Sequence, residues 1–257
     1  NSSDLSEGTV STSSLTFTNT NWSRPQTVTI TGVDDLLDDG DIGFTIITGA
    51  TDSTDLDFDN LNPSDVSVTN SDDDTAGITV NPTGGLYVSE AGTTATFTVV
   101  LNSQPTASVS LNLSSSDPTE GTVLPTSLTF TTSNWNTPQT VTITGVNDMV
   151  MDGSVEFFIT TTSATSLDLG YNGINPPDVS VTCNDNDTAG FTVNPTSGLT
   201  VSEAGTTTSF SVVLNTQPTN DVTINLNSLD TTEGTISPSS LTFTPTNWNT
   251  PRIITIT

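Results

Sequence analysis

The chain has 257 residues and a formal net charge of −27, because 29 Asp and Glu face only Arg24 and Arg252, with no Lys or His. This balance excludes nucleic acid as a partner, since phosphate binding needs Lys and Arg, and an anionic membrane surface would repel the chain. Without His and Lys, most acid–base and nucleophilic enzyme mechanisms are also excluded. Cys183 is the only cysteine, and we expect it to be a buried, inert thiol.

The chain repeats itself with a fixed period, which is the spacing from Trp22 to Trp135 and again from Trp135 to Trp248. At the same spacing, the sequence DDDTAG at 72–77 returns as DNDTAG at 185–190. A repeat period of this size indicates an array of one module. The period predicts a first partial module at 1–74, the C-terminal part of a repeat, a complete module at 75–187, and a third partial module at 188–257, the N-terminal part of a further repeat.

Short segments of the complete module alternate apolar and polar residues, which is typical of half-buried β-strands. No helical periodicity of useful length is present. We therefore predict an all-β fold of tandem seven-stranded antiparallel β-sandwich modules, immunoglobulin-like and arranged head to tail. The expected strands are 77–80 continued by 86–89, then 94–101, 107–113, 127–130, 139–146, 155–161 and 178–183.

Alternating strand directions predict that the acidic loops of a module meet at one end of the sandwich, the acidic end, while the Pro-, Asn- and Trp-rich loops meet at the opposite loop end. In the complete module the acids expected there are Glu90, Asp117, Asp148, Asp152, Asp185 and Asp187. In the first partial module they are Asp4, Asp34, Asp35, Asp39, Asp72, Asp73 and Asp74. The period extends the set to Glu203 and Asp230 in the third partial module.

Carboxylates gathered at one end repel each other, and two arginines cannot neutralise them. A set of oxygen ligands on loops, without His or paired thiolates, favours Ca²⁺, whereas Zn²⁺ prefers His and Cys and Mg²⁺ retains its water. The sequence thus predicts calcium as the cofactor, with more than one ion per acidic end. The alternative is a solvated acidic face, which is what charge runs usually form.

Four sequence features together resemble the Calx-beta domain: SEAG after a strand, an Asp before EGT, the turn GVDD, and the terminal DDDTAG. That family occurs in sodium/calcium exchangers and in large bacterial surface proteins, and the resemblance implies a seven-stranded sandwich whose acidic end binds calcium. Carried over by position, the implied ligands are the acids above except Asp4, Glu203 and Asp230. Asn147 and Asn186 replace Asp34 and Asp73, which predicts weaker or fewer calcium ions in the complete module.

These features predict a non-catalytic, calcium-binding repeat of an extracellular or bacterial cell-surface stalk, adhesin or filament, in which Ca²⁺ stiffens the joints between modules. The expected partners are neighbouring modules, like chains in a filament, and a glycan or cell-surface protein. The alternative is a glycan- or protein-binding module that uses the loop end, where each Trp either stacks on a sugar or caps the sandwich. Paired carboxylates also serve glycoside hydrolysis, but a catalytic pair in every repeat is not expected.

Overall fold

The computed structural model describes residues 1–257, and every regular element in it is a β-strand. No helix is present that has the length and apolar character to cross a membrane. In the first partial module, strands pair as β1 with β2 and as β3 with β4. Their bounds are β1 Gly8–Val10, β2 Ile30–Gly32, β3 Ile42–Ile46 and β4 Val66–Asn70.

The complete module is a sandwich of two sheets. One sheet has the order β10-β8-β12-β14-β6, with β13 also paired to β8, and the other has the order β5-β7-β11-β9. The strands are β5 Ile78–Asn81, β6 Leu86–Ser89, β7 Thr94–Leu101, β8 Val109–Ser115, β9 Gly121–Leu124, β10 Ser127–Phe130, β11 Gln139–Gly145, β12 Val155–Thr161, β13 Thr165–Ser166 and β14 Val179–Asn184.

Alternate residues of both sheets point inward and form one core of 21 buried residues. On β11, for example, Val141 and Ile143 are fully buried, while the threonines between and beside them face outward. Trp135 packs against this core from the loop end. Burial of the inward row is the main stabilising contribution to such a sandwich.

In the third partial module, one sheet has the order β15-β16-β20-β18, and β17 pairs with β19. Five buried residues form its core, and Trp248 packs against them. The packing alternative is therefore confirmed for two of the three tryptophans, whereas Trp22 is 72% exposed. The strands are β15 Phe191–Asn194, β16 Thr208–Leu214, β17 Val222–Asn225, β18 Ile236–Ser237, β19 Ser240–Phe243 and β20 Arg252–Ile256.

The structure confirms the all-β sandwich and contains each predicted strand of the complete module, with ends that agree to within two residues. Two short strands, β9 and β13, were not expected. The pairing is also not antiparallel throughout, because β6 runs parallel to β14. The reason is the break between β5 and β6, where Gly85 takes a positive φ of 72° and the chain passes from one sheet to the other.

Candidate metal centre

Strand direction brings the acidic loops of the complete module together. Strands β8 and β14 both pair antiparallel with β12, and β6 is parallel to β14, so all three end on the same side. The second sheet joins them because Gly145, the last residue of β11, lies against Ser89; a Cβ on Gly145 would be 2.1 Å from the Ser89 carbonyl oxygen. The absence of a side chain at 145 therefore allows the two sheets to approach at the acidic end.

The first carboxylate group of the complete module consists of Glu120, Asp148 and Asp152, each of which offers an oxygen within 4.8 Å of the others. Glu120 is only 6% exposed, and the side chain beside its carboxylate is the buried thiol of Cys183, a group that is a weak hydrogen-bond donor. Burial raises the pKa of Glu120, and the negative charges of Asp152, Asp117, Asp148 and Glu90 raise it further. Its ionised form thus lacks a compensating partner in the protein.

Glycine holds the backbone of this group in place. A Cβ on Gly121 would be 2.3 Å from Cζ of Phe157, and a Cβ on Gly8, its counterpart one repeat period earlier, would be 2.2 Å from Cζ of Phe44. The phenyl ring therefore presses on the backbone directly after the glutamate. Close packing at this point fixes the start of β9 and with it the position of Glu120.

The second carboxylate group consists of Glu90, Asp185 and Asp187, again with oxygens within 4.8 Å of one another. Glu90 is 4% exposed, and burial raises its pKa although the Asn186 N–H donates to its Oε2 at 3.1 Å. Burial likewise raises the pKa of Asp187, and the charges of Asp185 and Asp148 add to the effect. The Oδ2 atom of Asp187 is buried and has no hydrogen-bond partner.

Asp148 links the two groups electrostatically, because its charge raises the pKa of Glu90 and Asp187 as well as that of Asp152. Asp185, in contrast, accepts the N–H groups of Asp187 at 2.7 Å and Gly153 at 2.8 Å, and these bonds lower its pKa. The second group therefore combines one carboxylate whose pKa is lowered by backbone hydrogen bonds, Asp185, with two whose pKa is raised by burial, Glu90 and Asp187.

The first partial module has two corresponding groups, Glu7 with Asp35 and Asp39, and Asp34 with Asp73 and Asp74. They line a common cavity of about 290 Å³ in which Val33 is the single hydrophobic residue. Burial raises the pKa of Asp74, as do the charges of Asp73 and its other acidic neighbours. At the equivalent place in the complete module, the Asn186 side-chain amide donates to Oδ1 of Asn147 at 3.4 Å.

Ten of the predicted acids lie in these four groups, and five do not. Asp72 accepts the N–H groups of Gly40 and Asp74 and so holds in place the loops that carry Asp39 and Asp74. Asp4, Asp117 and Asp230 accept hydrogen bonds from the residue two positions later, and side-chain hydroxyls there lower the pKa of all three. Glu203 is exposed and belongs to no group.

Glu7 and Glu120 belong to the carboxylate groups, and the sequence reasoning missed them as ligands. Their recurrence at the repeat period, each before a glycine and each three positions after an aspartate, was the available signal. Gly121 and Pro125 bracket the segment and favour a turn there. The pairing of Gly121 with Gly145 shows instead that a strand begins directly after the glutamate.

The loops that carry Asp35 and Asp39, and Asp148 and Asp152, also contact the module that follows. The Gln104 N–H donates to the Leu36 carbonyl, and the Gln217 N–H donates to the Met149 carbonyl, both at 2.6 Å. A second contact at each joint differs in chemistry. The Ala76 N–H donates to Oδ2 of Asp38 at 2.7 Å, whereas the Ala189 N–H donates to Sδ of Met151 at 3.3 Å.

The long loop at the loop end, residues 162–178 between β12 and β14, is anchored in the sandwich core. Tyr171 is 1% exposed, its hydroxyl donates to the Ser103 carbonyl at 2.6 Å, and it accepts the Ser103 N–H at 2.9 Å. Tyr171 is thus part of the sandwich core and is not free to contact a ligand. Leu167 and Leu169, in contrast, are 91% and 89% exposed.

Comparison with known proteins finds no matching family model and no matching curated protein. Among solved structures, the apo form of the Calx CBD1 domain is 16% identical, and the match covers 44% of this chain and all of that chain with a TM-score of 0.35. The calcium binding domain CBD12 of CALX1.1 is 17% identical, covering 70% and 74% of the two chains with a TM-score of 0.36. Domains 4 and 5 of the S-layer protein SbsC are 23% identical, covering 48% and 58% with a TM-score of 0.28.

Proposed function

We propose that this chain is a non-catalytic, calcium-binding segment of a repeat protein, built from Calx-beta-like modules at 1–74, 75–187 and 188–257. The observation that carries the proposal is the buried Oδ2 atom of Asp187, which has no hydrogen-bond partner, together with the carboxylate of Glu120, a residue that is 6% exposed. Each lies inside a group of three acids. Burying an ionised carboxylate is costly unless a cation or several donors accompany it. The chain has only two basic side chains to offer, so a bound metal ion is the natural partner.

The donor set fits calcium. All candidate ligands are carboxylate oxygens on loops, and Ca²⁺ takes six to eight oxygens in flexible geometry. Glu120, Asp148 and Asp152 would hold one ion, and Glu90, Asp185 and Asp187 another, with Asp148 close enough to act on both. When bound, the ions supply positive charge that offsets the mutual repulsion of these acids.

Metal binding at the acidic end would also order the joints. Asp148 and Asp152 flank the residues whose carbonyl and sulfur accept hydrogen bonds from the third partial module, and Asp35 and Asp39 do the same at the preceding joint. Drawing both aspartates toward an ion fixes the loop between them. The modules then stack as a stiff array, which suits an extracellular or bacterial surface stalk, adhesin or filament in which neighbouring modules, and like chains, are the partners.

An extracellular location is part of the proposal because calcium is millimolar there, and modest affinity is then sufficient. Catalysis is not proposed. The two carboxylate groups recur in successive modules, and the chain has no His or Lys to serve as a general base or nucleophile.

Thermal unfolding of the chain in EDTA and in millimolar Ca²⁺ tests the proposal. At a free Ca²⁺ concentration of ten times its Kd, each site stabilises the folded state by about 1.4 kcal/mol, so the melting temperature should rise with calcium. The spread of hydrodynamic radii should narrow as the joints stiffen. Asp152→Asn should reduce the calcium-dependent shift. Glu156→Gln, which removes one charge from the same module on an exposed strand position, should leave that shift unchanged.

Two outcomes would count against calcium. If NaCl at equal ionic strength produced the same stabilisation, simple screening of the acidic end would explain the result. If neither salt nor calcium changed the unfolding curve, the carboxylate groups would be a solvated face.

A second candidate function is supported by the two exposed leucines of the long loop. Asp168 anchors this loop by accepting the N–H groups of Thr106 at 2.7 Å and Gly170 at 2.9 Å, while Leu167 and Leu169 on either side are almost fully exposed. A fixed apolar tip of this kind is suited to contact a protein or glycan partner. Loss of cell or glycan adhesion in Leu167→Ser/Leu169→Ser, with unchanged stability, would support this candidate.

A further inference from the structure

The only two methionines of the chain, Met149 and Met151, lie in one loop at the joint between the complete module and the third partial module. Their side chains are 51% and 56% exposed, respectively, so both are accessible to small oxidants. Cys183, the other oxidisable sulfur, is 1% exposed, and burial and the charges of Glu120 and Glu90 raise its pKa to about 11. The thiol is thus shielded and protonated, and peroxide reacts first at the methionines.

The sulfur of Met151 has a specific role at the joint. It accepts the Ala189 N–H at 3.3 Å, at the place where the carboxylate oxygen of Asp38 accepts the Ala76 N–H at 2.7 Å one module earlier. A thioether is a weak acceptor, whereas a carboxylate oxygen is a strong one. The two joints therefore have the same donor and the same backbone contact but acceptors of unequal strength.

We propose that Met151 is a site of reversible oxidation that strengthens this joint. Hydrogen peroxide transfers one oxygen atom to Sδ, the O–O bond breaks, and the products are methionine sulfoxide and water. The new sulfoxide oxygen replaces sulfur as the acceptor for the Ala189 N–H and reproduces the oxygen acceptor that Asp38 supplies at the preceding joint. Because the side chain is half exposed, sulfur can retreat toward solvent while its oxygen takes over the hydrogen bond.

This inference concerns the hydrogen bond at the joint and does not depend on calcium. The preceding joint serves as its control within the same molecule, since Leu36, Leu37 and Asp38 occupy the positions of Met149, Val150 and Met151 and none of the three is oxidised by peroxide. A change confined to the second joint is then attributable to methionine chemistry.

Amide hydrogen exchange of the full chain in EDTA tests the proposal, with Ala189 as the reporter and Ala76 as the internal reference. Met149→Leu leaves Met151 as the single methionine, and peroxide treatment should add one oxygen by mass. Exchange at Ala189 should then slow by roughly two- to tenfold, the range expected when a weak acceptor is replaced by a stronger one, while exchange at Ala76 stays constant. Methionine sulfoxide reductases should restore the original rate.

Two further variants give the exchange rates expected for a strong acceptor and for no acceptor at position 151. Met151→Asp should slow exchange at Ala189 without peroxide, because it installs the acceptor of the preceding joint. Met149→Leu/Met151→Leu should show faster exchange at Ala189 and no response to peroxide. The proposal is overturned if exchange at Ala189 is unchanged or faster in the singly oxidised protein, or if Met151 resists peroxide that oxidises free methionine.

Discussion

Asn70 donates its side-chain amide to Oε2 of Glu7 at 3.2 Å and to the Val33 carbonyl at 2.8 Å, and Cys183 occupies the same place beside Glu120. The two acidic ends thus differ in the residue beneath the buried glutamate. In the first partial module a strong donor stabilises the carboxylate, and in the complete module a thiol does not. The ionised glutamate of the complete module, Glu120, therefore depends more on a bound cation for stabilisation than Glu7 does.

We predict that Cys183→Asn stabilises the metal-free complete module. The amide can donate to Glu120 as Asn70 does to Glu7, and a hydrogen bond to a charged group contributes about 1.5–3 kcal/mol, part of which the larger side chain offsets. Denaturant unfolding in EDTA at neutral pH should show the gain. Cys183→Ala, which supplies no donor, should be less stable than the native chain, and equal stability of the two variants would contradict the account.

The metal-free chain should be more stable at mildly acidic than at neutral pH. Burial raises the pKa of Glu90, Glu120, Asp152 and Asp187 in the folded state. The folded state therefore binds their protons more tightly than the unfolded state does. The stability gained in this way is fully present below the unfolded-state pKa and is lost as pH rises through the folded-state pKa. Melting temperatures in EDTA should therefore increase as pH falls from neutral toward the normal pKa of Glu, 4.5. At still lower pH, stability should fall again, because hydrogen bonds lower the pKa of Asp117 and Asp185. In saturating Ca²⁺ the increase toward acidic pH should vanish, and a melting temperature independent of pH in EDTA would be inconsistent with buried, uncompensated carboxylates.

Introducing into the complete module the two aspartates that it lacks relative to the first partial module should change its calcium binding. Asn147→Asp/Asn186→Asp places carboxylates where Asp34 and Asp73 stand one repeat period earlier. Tighter binding or an additional ion is expected in calorimetry, because the number of charged ligands sets affinity, and stability in EDTA should decrease through added repulsion. As a control for charge alone, Thr96→Asp/Thr140→Asp adds two acids at exposed positions of β7 and β11 and should leave the affinity unchanged.

Gly121 should be intolerant of substitution. A Cβ would lie 2.3 Å from Phe157 Cζ, and overpacking of this kind costs about 1–3 kcal/mol. Gly121→Ala should lower the free energy of unfolding by that amount and weaken calcium binding through displacement of Glu120. Gly43→Ala is the matched control, since a Cβ there meets no atom within 4 Å. Comparable losses in the two variants would show that the contact with Phe157 is not the cause.

Much of this architecture could be predicted from the sequence because its signals are local. Alternation along segments such as 139–145 predicts strands directly, and counting strand directions then predicts which loops share an end. The ends of the sandwich depend on contacts between distant residues, which alternation does not encode. Strand β9 forms because Gly121 can pack under the Phe157 ring and pair with Gly145. Glu120 is buried for the same reason, and neither consequence is visible in the sequence EGTVLP alone.

The most direct test of the central claim is a calorimetric titration of Ca²⁺ into the EDTA-stripped chain at physiological ionic strength, with Mg²⁺ as the comparison. The account predicts saturable binding of calcium, up to one ion for each of the four carboxylate groups, loss of binding in Glu120→Gln and Asp187→Asn at their own groups, and much weaker heats with Mg²⁺. Heats of dilution alone up to about 10 mM Ca²⁺, above the dissociation constants of extracellular calcium modules, would contradict it.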